Sequence, residues 1–171
     1  KSIGLHSPLS WSVPGCVSGW DLLSTRFGKL SRSALLEAAI YYAREGFPVS
    51  PIIARGWLKS TSSSHPTLTD AYLPGGEALQ FGDISKNPGC ADFFEILERD
   101  GWKSFYEGEI AERIVSFSQE QGGRFEMRDF VDHTADWIAP VSANYRGYDV
   151  WELPPNGQGI AALQILNMLE Q

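Results

Sequence analysis

The sequence predicts an α+β chain, mostly helical over about residues 13–138, with a β-hairpin and one apolar helix over about 139–171. Three observations predict it. Apolar residues recur at helical spacing between Gly, Pro, Ser and Asn punctuation in the first part. Two short strand-like runs, containing Tyr148, Val150 and Trp151, meet only once, through Asn144-Tyr145-Arg146-Gly147, where Gly147 supplies the positive φ of a tight hairpin. Finally Ile160, Ala161, Ala162, Leu163, Ile165, Leu166, Met168 and Leu169 go nearly all the way round a helix. Such a helix expects burial on every side. A chain that stops two residues later leaves that burial to groups outside the sequence.

In chain order, residues 1–12 form an irregular lead-in. Pro14 takes the first position of a helix, Gly15 and Gly19 lie four apart on one face where another backbone could approach, and Val17, Trp20, Leu23 and Phe27 fill that sector or the next. Gly28 ends it as a left-handed cap. Ser31 caps a second helix through Leu35, Leu36, Ala39, Ile40 and Ala43, which Gly46 and Pro48 stop. A short helix over 51–58 is followed by a polar surface loop at 59–66 and turns at 72–76 and 81–83. Asn87-Pro88 starts a helix carrying Phe93, Phe94, Ile96 and Leu97 that Gly101 ends, and 102–106 adds a turn. Residues 109–121 form an amphipathic helix with Ile110, Ile114, Val115 and Phe117 inward and a Glu109–Arg113 pair outward, closed by Gly122-Gly123. A short helix at 128–133 precedes the hairpin, whose second strand Pro154 and Pro155 terminate.

The 171 residues make one domain or a piece of one, with 43% hydrophobic and 20% charged residues, ordinary for a globular protein. The net charge of −7 and the lack of any Lys/Arg run argue against a nucleic-acid or anionic-membrane surface. No apolar run approaches the roughly 20 residues of a membrane span. Cys16 and Cys90 are too far apart in sequence to suggest a metal motif or disulfide framework, and each reads as a small buried apolar group.

No residue set reads as a catalytic, substrate-binding, cofactor or metal site. His6, His65 and His133 never fall at two-ligand spacing. Asp132-His133 with Asp136 reads as a solvated face. Ser60, Ser62, Ser63, Ser64, His65 and Asp70 hold the letters of a hydrolase triad without the strand-turn-helix context that presents its serine. Glu107, Glu109 and Glu112 suit a helix's outer face and first turn better than paired acids. Gly157-Gln158-Gly159 reads as a tight passage into the last helix rather than an anion cradle.

Four segments in order carry a resemblance: Val13-Pro14-Gly15-Cys16-Val17-Ser18-Gly19; Ala43-Arg44-Glu45-Gly46-Phe47-Pro48-Val49; Phe105-Tyr106-Glu107-Gly108-Glu109-Ile110-Ala111-Glu112-Arg113-Ile114; and Tyr145-Arg146-Gly147-Tyr148 followed by Pro154-Pro155-Asn156-Gly157-Gln158-Gly159 and Leu163-Gln164-Ile165-Leu166-Asn167. Together they resemble the γ-glutamyltransferase family over about residues 13–170. The resemblance implies an N-terminal-nucleophile hydrolase of four-layer αββα architecture, cut from a precursor into large and small subunits, that moves γ-glutamyl groups from glutathione-type donors to amino acids, peptides or water.

It further implies that this chain is a partial large-subunit domain. The nucleophilic threonine of the small subunit would follow residue 171, and the donor-binding arginine would precede residue 1. The expected partners are the rest of the large subunit, the small subunit and a γ-glutamyl small molecule, and no cofactor is expected. The segment alone is expected to be inactive. The 154–159 segment departs from the P-P-S-S-G-G form of glutathione-cleaving members towards cephalosporin-acylase-like homologues, so an acylase of the same superfamily is the rival enzyme reading. A non-catalytic helical scaffold is the rival outside enzymology. The compartment stays open: the resemblance suits a periplasmic or secreted location and also permits a cytoplasmic one.

Overall fold

Ser31 opens a helix that ends at Glu45. Its Oγ accepts from the Ala34 N–H at 3.2 Å, and Gly46, at φ 93°, closes the same helix by donating its N–H to the Tyr42 carbonyl. The computed structural model describes residues 2–4, 7–60 and 72–170, which fall into two compact units, Lys1–Thr134 and Ala135–Gln171.

The first unit contains α1 (Cys16–Phe27), α2 (Arg32–Glu45), α3 (Pro51–Ser60), α4 (Pro88–Asp100), the single turn α5 (Ser104–Glu107), α6 (Glu109–Glu120) and α7 (Met127–Val131). Two-residue strands β1 (Phe47–Pro48) and β2 (Ile84–Ser85) pair antiparallel, Phe47 opposite Ser85. Asn87 caps α4, its side-chain oxygen accepting from the Cys90 N–H at 3.0 Å, and Gly101 at φ 95° ends it. The most extensive helix pairing joins α2 to α4. Arg32 donates from Nε and Nη2 to the Glu98 carbonyl at 3.0 and 2.8 Å, satisfying an end-of-helix acceptor and placing a cation at the negative pole of α4. Arg44 meets Asp92 at 2.9 Å and Glu95 at 2.6 Å. These groups are partly exposed, so the pairs add register more than stability.

The core of this unit gathers Val17 from α1, Leu36 from α2, Leu97 from α4, Phe105 and Tyr106 from α5, Ile110, Ala111 and Val115 from α6 and Phe130 from α7. On α6 the inward face is Ile110, Ala111, Val115 and Ser118, while Ile114 and Phe117 are half-buried and Phe117 stacks on Trp11 with ring centroids 5.9 Å apart. The Glu109–Arg113 pair forms at 3.8 Å.

Several expectations are corrected. Helix α1 begins at Cys16 with Gly15 as its cap, so Pro14 lies just outside it. A side chain on Gly19 would meet nothing within 4 Å, and one on Gly15 would meet the His133 ring at 3.3 Å. Among the described residues no second backbone uses that face. Leu23 and Phe27 are exposed, and only Val17 of the four expected apolar residues is buried. Gly28 is extended (φ −64°, ψ 138°) rather than left-handed. There the absence of a Cβ serves close approach to the Ser24 carbonyl. Residues 46–48 were expected only to stop α2, yet Phe47 and Pro48 form a strand, because a two-residue ladder leaves Pro a position where no donor is required. Of the polar loop expected at 59–66, residues 59 and 60 belong to α3 and 61–66 lie outside the described residues.

The second unit is a hairpin, β3 (Val141–Tyr145) and β4 (Tyr148–Glu152), with α8 (Gly159–Leu169) against it, chiefly on β3. Tyr145 pairs with Tyr148 across the two-residue turn Arg146-Gly147, with φ 50° and 84°, a primed turn whose twist matches the strands. The Arg146 N–H donates to Glu170 Oε1 at 3.0 Å and the Gly147 N–H to Asn144 Oδ1 at 3.2 Å. Burial of α8 on every side is not observed. Leu163 is buried, but Ile165, Met168 and Leu169 are 52–65% exposed. One two-stranded ribbon covers one face of a helix and no more.

Candidate functional site

Helix α1 is capped by Gly15 and therefore has no side-chain cap of its own. Tyr106, from α5, replaces it: the Ser18 N–H donates to Tyr106 Oη at 3.0 Å, and Tyr106 Oη donates onward to the Pro14 carbonyl at 2.8 Å. His133, just past α7, stacks on the Tyr106 ring with centroids 5.1 Å apart, and its Nε2 lies 3.1 Å from Ser18 Oγ. Ser18 Oγ in turn lies 2.9 Å from the Gly15 carbonyl oxygen. A hydroxyl has one proton. That proton goes either to the Gly15 carbonyl or to His133 Nε2, according to the histidine tautomer. The cluster ties α1, α5 and α7 together.

Removing the phenol oxygen by Tyr106→Phe is expected to leave the Ser18 amide without an acceptor. The loss is about 1–2 kcal/mol of unfolding free energy. Urea unfolding checks it, the expected result being a lower midpoint at unchanged slope.

His133 is thus half-buried and engaged, correcting its reading as part of a solvated face, while Asp132 and Asp136 are exposed. His6, Ser62, Ser63, Ser64, His65 and Asp70 lie outside the described residues. Glu107, Glu109 and Glu112 are exposed on the outer surface, as expected. Gly159 passes so near β4 that a Cβ there would stand 2.6 Å from Glu152 Oε2, which agrees with a tight passage into α8. Among the described residues no group of three His, Cys, Asp or Glu side chains could hold a metal ion, and no helix is long and apolar enough to cross a membrane.

Cys16 is exposed, contrary to its expected burial, and Cys90 is half-buried. Burial pushes the Cys90 thiol pKa up, because desolvation disfavours the thiolate. The stability Cys90 contributes as a neutral thiol is therefore present below the ordinary thiol range and is lost as pH rises through its raised folded value. Alkylation with iodoacetamide at mildly alkaline pH, resolved by peptide mass, is expected to label Cys16 ahead of Cys90.

Two open, largely apolar grooves complete the surface of the first unit. One, of ≈ 820 Å³, runs over Phe93, Ile96, Phe105, Ile110 and Phe117, with Arg113 and Glu120 as its charged lining. The other, of ≈ 500 Å³, lies over Trp20, Phe27, Leu35, Phe94 and Trp102. Neither brings a nucleophile to a base.

With no reaction centre in the described residues, comparison with known proteins decides the family. A model described as gamma-glutamyltranspeptidase matches residues 2–171. The chain belongs to the γ-glutamyltranspeptidase family. It is 40% identical over 169 residues to the glutathione hydrolase-like YwrD proenzyme of Bacillus subtilis, covering 98% of this chain and 32% of that protein. It is 33% identical to the glutathione hydrolase proenzyme of Escherichia coli, covering 97% and 29%. Among solved structures it superposes on cephalosporin acylase from Bacillus halodurans with TM-score 0.85 at 35% identity, over 99% of this chain and 33% of that one. On Helicobacter pylori gamma-glutamyltranspeptidase the TM-score is 0.87 at 27% identity, over 97% and 49%. The chain spans about a third of the length of the curated relatives it matches.

The family's enzymes are hydrolases and transferases of this superfamily, several of them named as proenzymes. The segments that carried the resemblance occupy structural positions. Two of them meet at Tyr106, where the Pro14 to Ser18 stretch is held from 88 residues away. No local signal in the sequence marks Tyr106 as a cap.

Proposed function

We propose that this chain is part of the large subunit of a γ-glutamyl amide hydrolase and transferase. Its donors are of the glutathione type, and its acceptors are amino acids, peptides or water. The acyl group is carried on the N-terminal threonine of a small subunit, whose α-amine acts as base. That threonine and the arginine that grips the donor's α-carboxylate lie in sequence outside this chain. Covalent catalysis without them loses its reaction step, so the chain alone is inactive. In this reading the hairpin β3–β4 joins a larger sheet of an αββα sandwich. Other layers then cover the exposed Tyr148, Trp151, Ile165, Met168 and Leu169. The match along residues 2–171 carries the proposal.

The test is to mature the full-length protein and supply γ-glutamyl-p-nitroanilide. Release of p-nitroaniline, accelerated by a dipeptide acceptor, is expected. A matured, two-subunit protein that releases none overturns the γ-glutamyl reading. The second reading, an acylase acting on the side-chain amide of a cephalosporin-type substrate, is favoured by the 35% identity to the Bacillus halodurans enzyme. It predicts cleavage of that amide in preference to the anilide.

A further inference from the structure

Of the four asparagines in the sequence, Asn87, Asn144, Asn156 and Asn167, only Asn156 is followed by glycine. The other three are held. Asn87 caps α4 through its side-chain oxygen, Asn144 donates to Asp149 at 2.8 Å and accepts from Gly147, and Asn167 lies within α8. Asn156 and Gly157 sit in the exposed connection between β4 and α8, where both residues are open to solvent. Among the described residues no side-chain hydrogen bond holds the Asn156 amide. A Cβ built on Gly157 would meet nothing within 4 Å. The side-chain carbonyl carbon of an asparagine and the backbone nitrogen of the next residue are separated by a path that closes to a five-membered ring. A following glycine offers the least steric hindrance to that closure and the widest choice of backbone angles.

We infer that Asn156-Gly157 is a site of spontaneous deamidation and isoaspartate formation. The Gly157 nitrogen gives up its proton and attacks the Asn156 side-chain carbonyl carbon. The new C–N bond closes a succinimide, and the side-chain nitrogen leaves as ammonia. Water then opens the ring at either carbonyl, leaving aspartate or a backbone routed through the side chain as isoaspartate. Ring closure requires the deprotonated amide, so the rate rises with pH. The product adds a negative charge to the connection, and isoaspartate also adds one methylene to its backbone. This happens immediately before Gly159, where the chain already passes Glu152 with no room for a Cβ.

The test incubates the full-length protein at mildly alkaline pH in ¹⁸O-labelled water and follows the four asparagine-containing peptides by mass. Isoaspartate is assigned by enzymatic methylation, and a synthetic peptide of residues 153–159 sets the unstructured rate. Conversion at Asn156 within about tenfold of the peptide, ahead of the other three asparagines, is expected for a site that needs no local opening. Conversion about a hundredfold slower than the peptide would mean the loop is protected, and it would overturn the inference. Gly157→Ala fits without a clash and is expected to leave thermal stability unchanged while suppressing isoaspartate. Equal conversion in that variant would also overturn it.

Discussion

Phe130→Ala is expected to remove about 3–5 kcal/mol of unfolding free energy from the first unit. The side chain has no exposed surface. Phe125 stands edge-on to it with centroids 5.4 Å apart, and Phe105 lies tilted at 6.5 Å. Truncation therefore forfeits both the transfer of a whole aromatic ring and two ring contacts, and it leaves a cavity bounded by α5 and α6 that rigid neighbours close only in part. Helix α7 has five residues, too short to hold its shape without that anchor. Its capping box, in which the Glu126 N–H donates to Asp129 Oδ2 at 2.9 Å, orders the first turn but buries nothing. The neighbouring Val131 is 51% exposed, and Val131→Ala is expected to cost well under about 1 kcal/mol. Urea unfolding of the pair checks the contrast. A loss at Phe130 no larger than that at Val131 would show that α7 is not an anchor of the core.

The parts of the fold that were legible are those governed by chemistry within a few residues. Ser31 and Asn87 cap the helices they were expected to cap, Gly46 and Gly101 end them with positive φ, and Gly147 sits in the primed turn. Each is a local backbone requirement written as a residue type. Features set by distant contacts were not legible. Nothing near Tyr106 indicates that its hydroxyl caps a helix 88 residues away. Nothing near His133 indicates that it will stack on that ring rather than face water. Two-residue strands carry no alternation from which to predict β1 and β2. For α8 the residue pattern correctly marks an apolar helix, but how much of it is covered depends on what is packed against it, and a single ribbon covers the Leu163 side.

The sequence marks no catalytic constellation. The Ser/His/Asp lettering lies almost wholly outside the described residues, and the Ser18–His133 contact that does form ties α1 to the stretch after α7. The reaction is proposed instead from family membership.

Gly46→Ala is expected to destabilise the first unit by about 3–5 kcal/mol, the sum of two separable penalties. The first is backbone. At φ 93° and ψ 171° the residue occupies a region open essentially to glycine alone, and a side chain there costs about 1–3 kcal/mol. The second is steric. The new Cβ would stand 2.5 Å from Ile84 Cγ2, 2.9 Å from Lys86 Cγ and 2.9 Å from the Ser85 carbonyl oxygen, so β2 would have to move away from the α2–β1 corner. That movement would strain the bonds that continue the corner, from the Val49 N–H to the Asp83 carbonyl at 2.8 Å and from Gly82 N–H to the Val49 carbonyl at 3.0 Å. The double variant with Ile84→Ala separates the two penalties. Ile84 is 54% exposed, so its own truncation is cheap, and removing its Cγ2 is expected to restore about 1 kcal/mol while the backbone penalty stays. The same chemical change at Gly56 supplies the opposite sign. That glycine is exposed within α3 and would meet nothing within 4 Å, so Gly56→Ala is expected to gain up to about 1 kcal/mol from helix propensity. Thermal or urea unfolding of the four variants decides the matter. If Gly46→Ala and Gly56→Ala shift stability alike, the close passage of α2 past β2 is not what requires glycine at position 46.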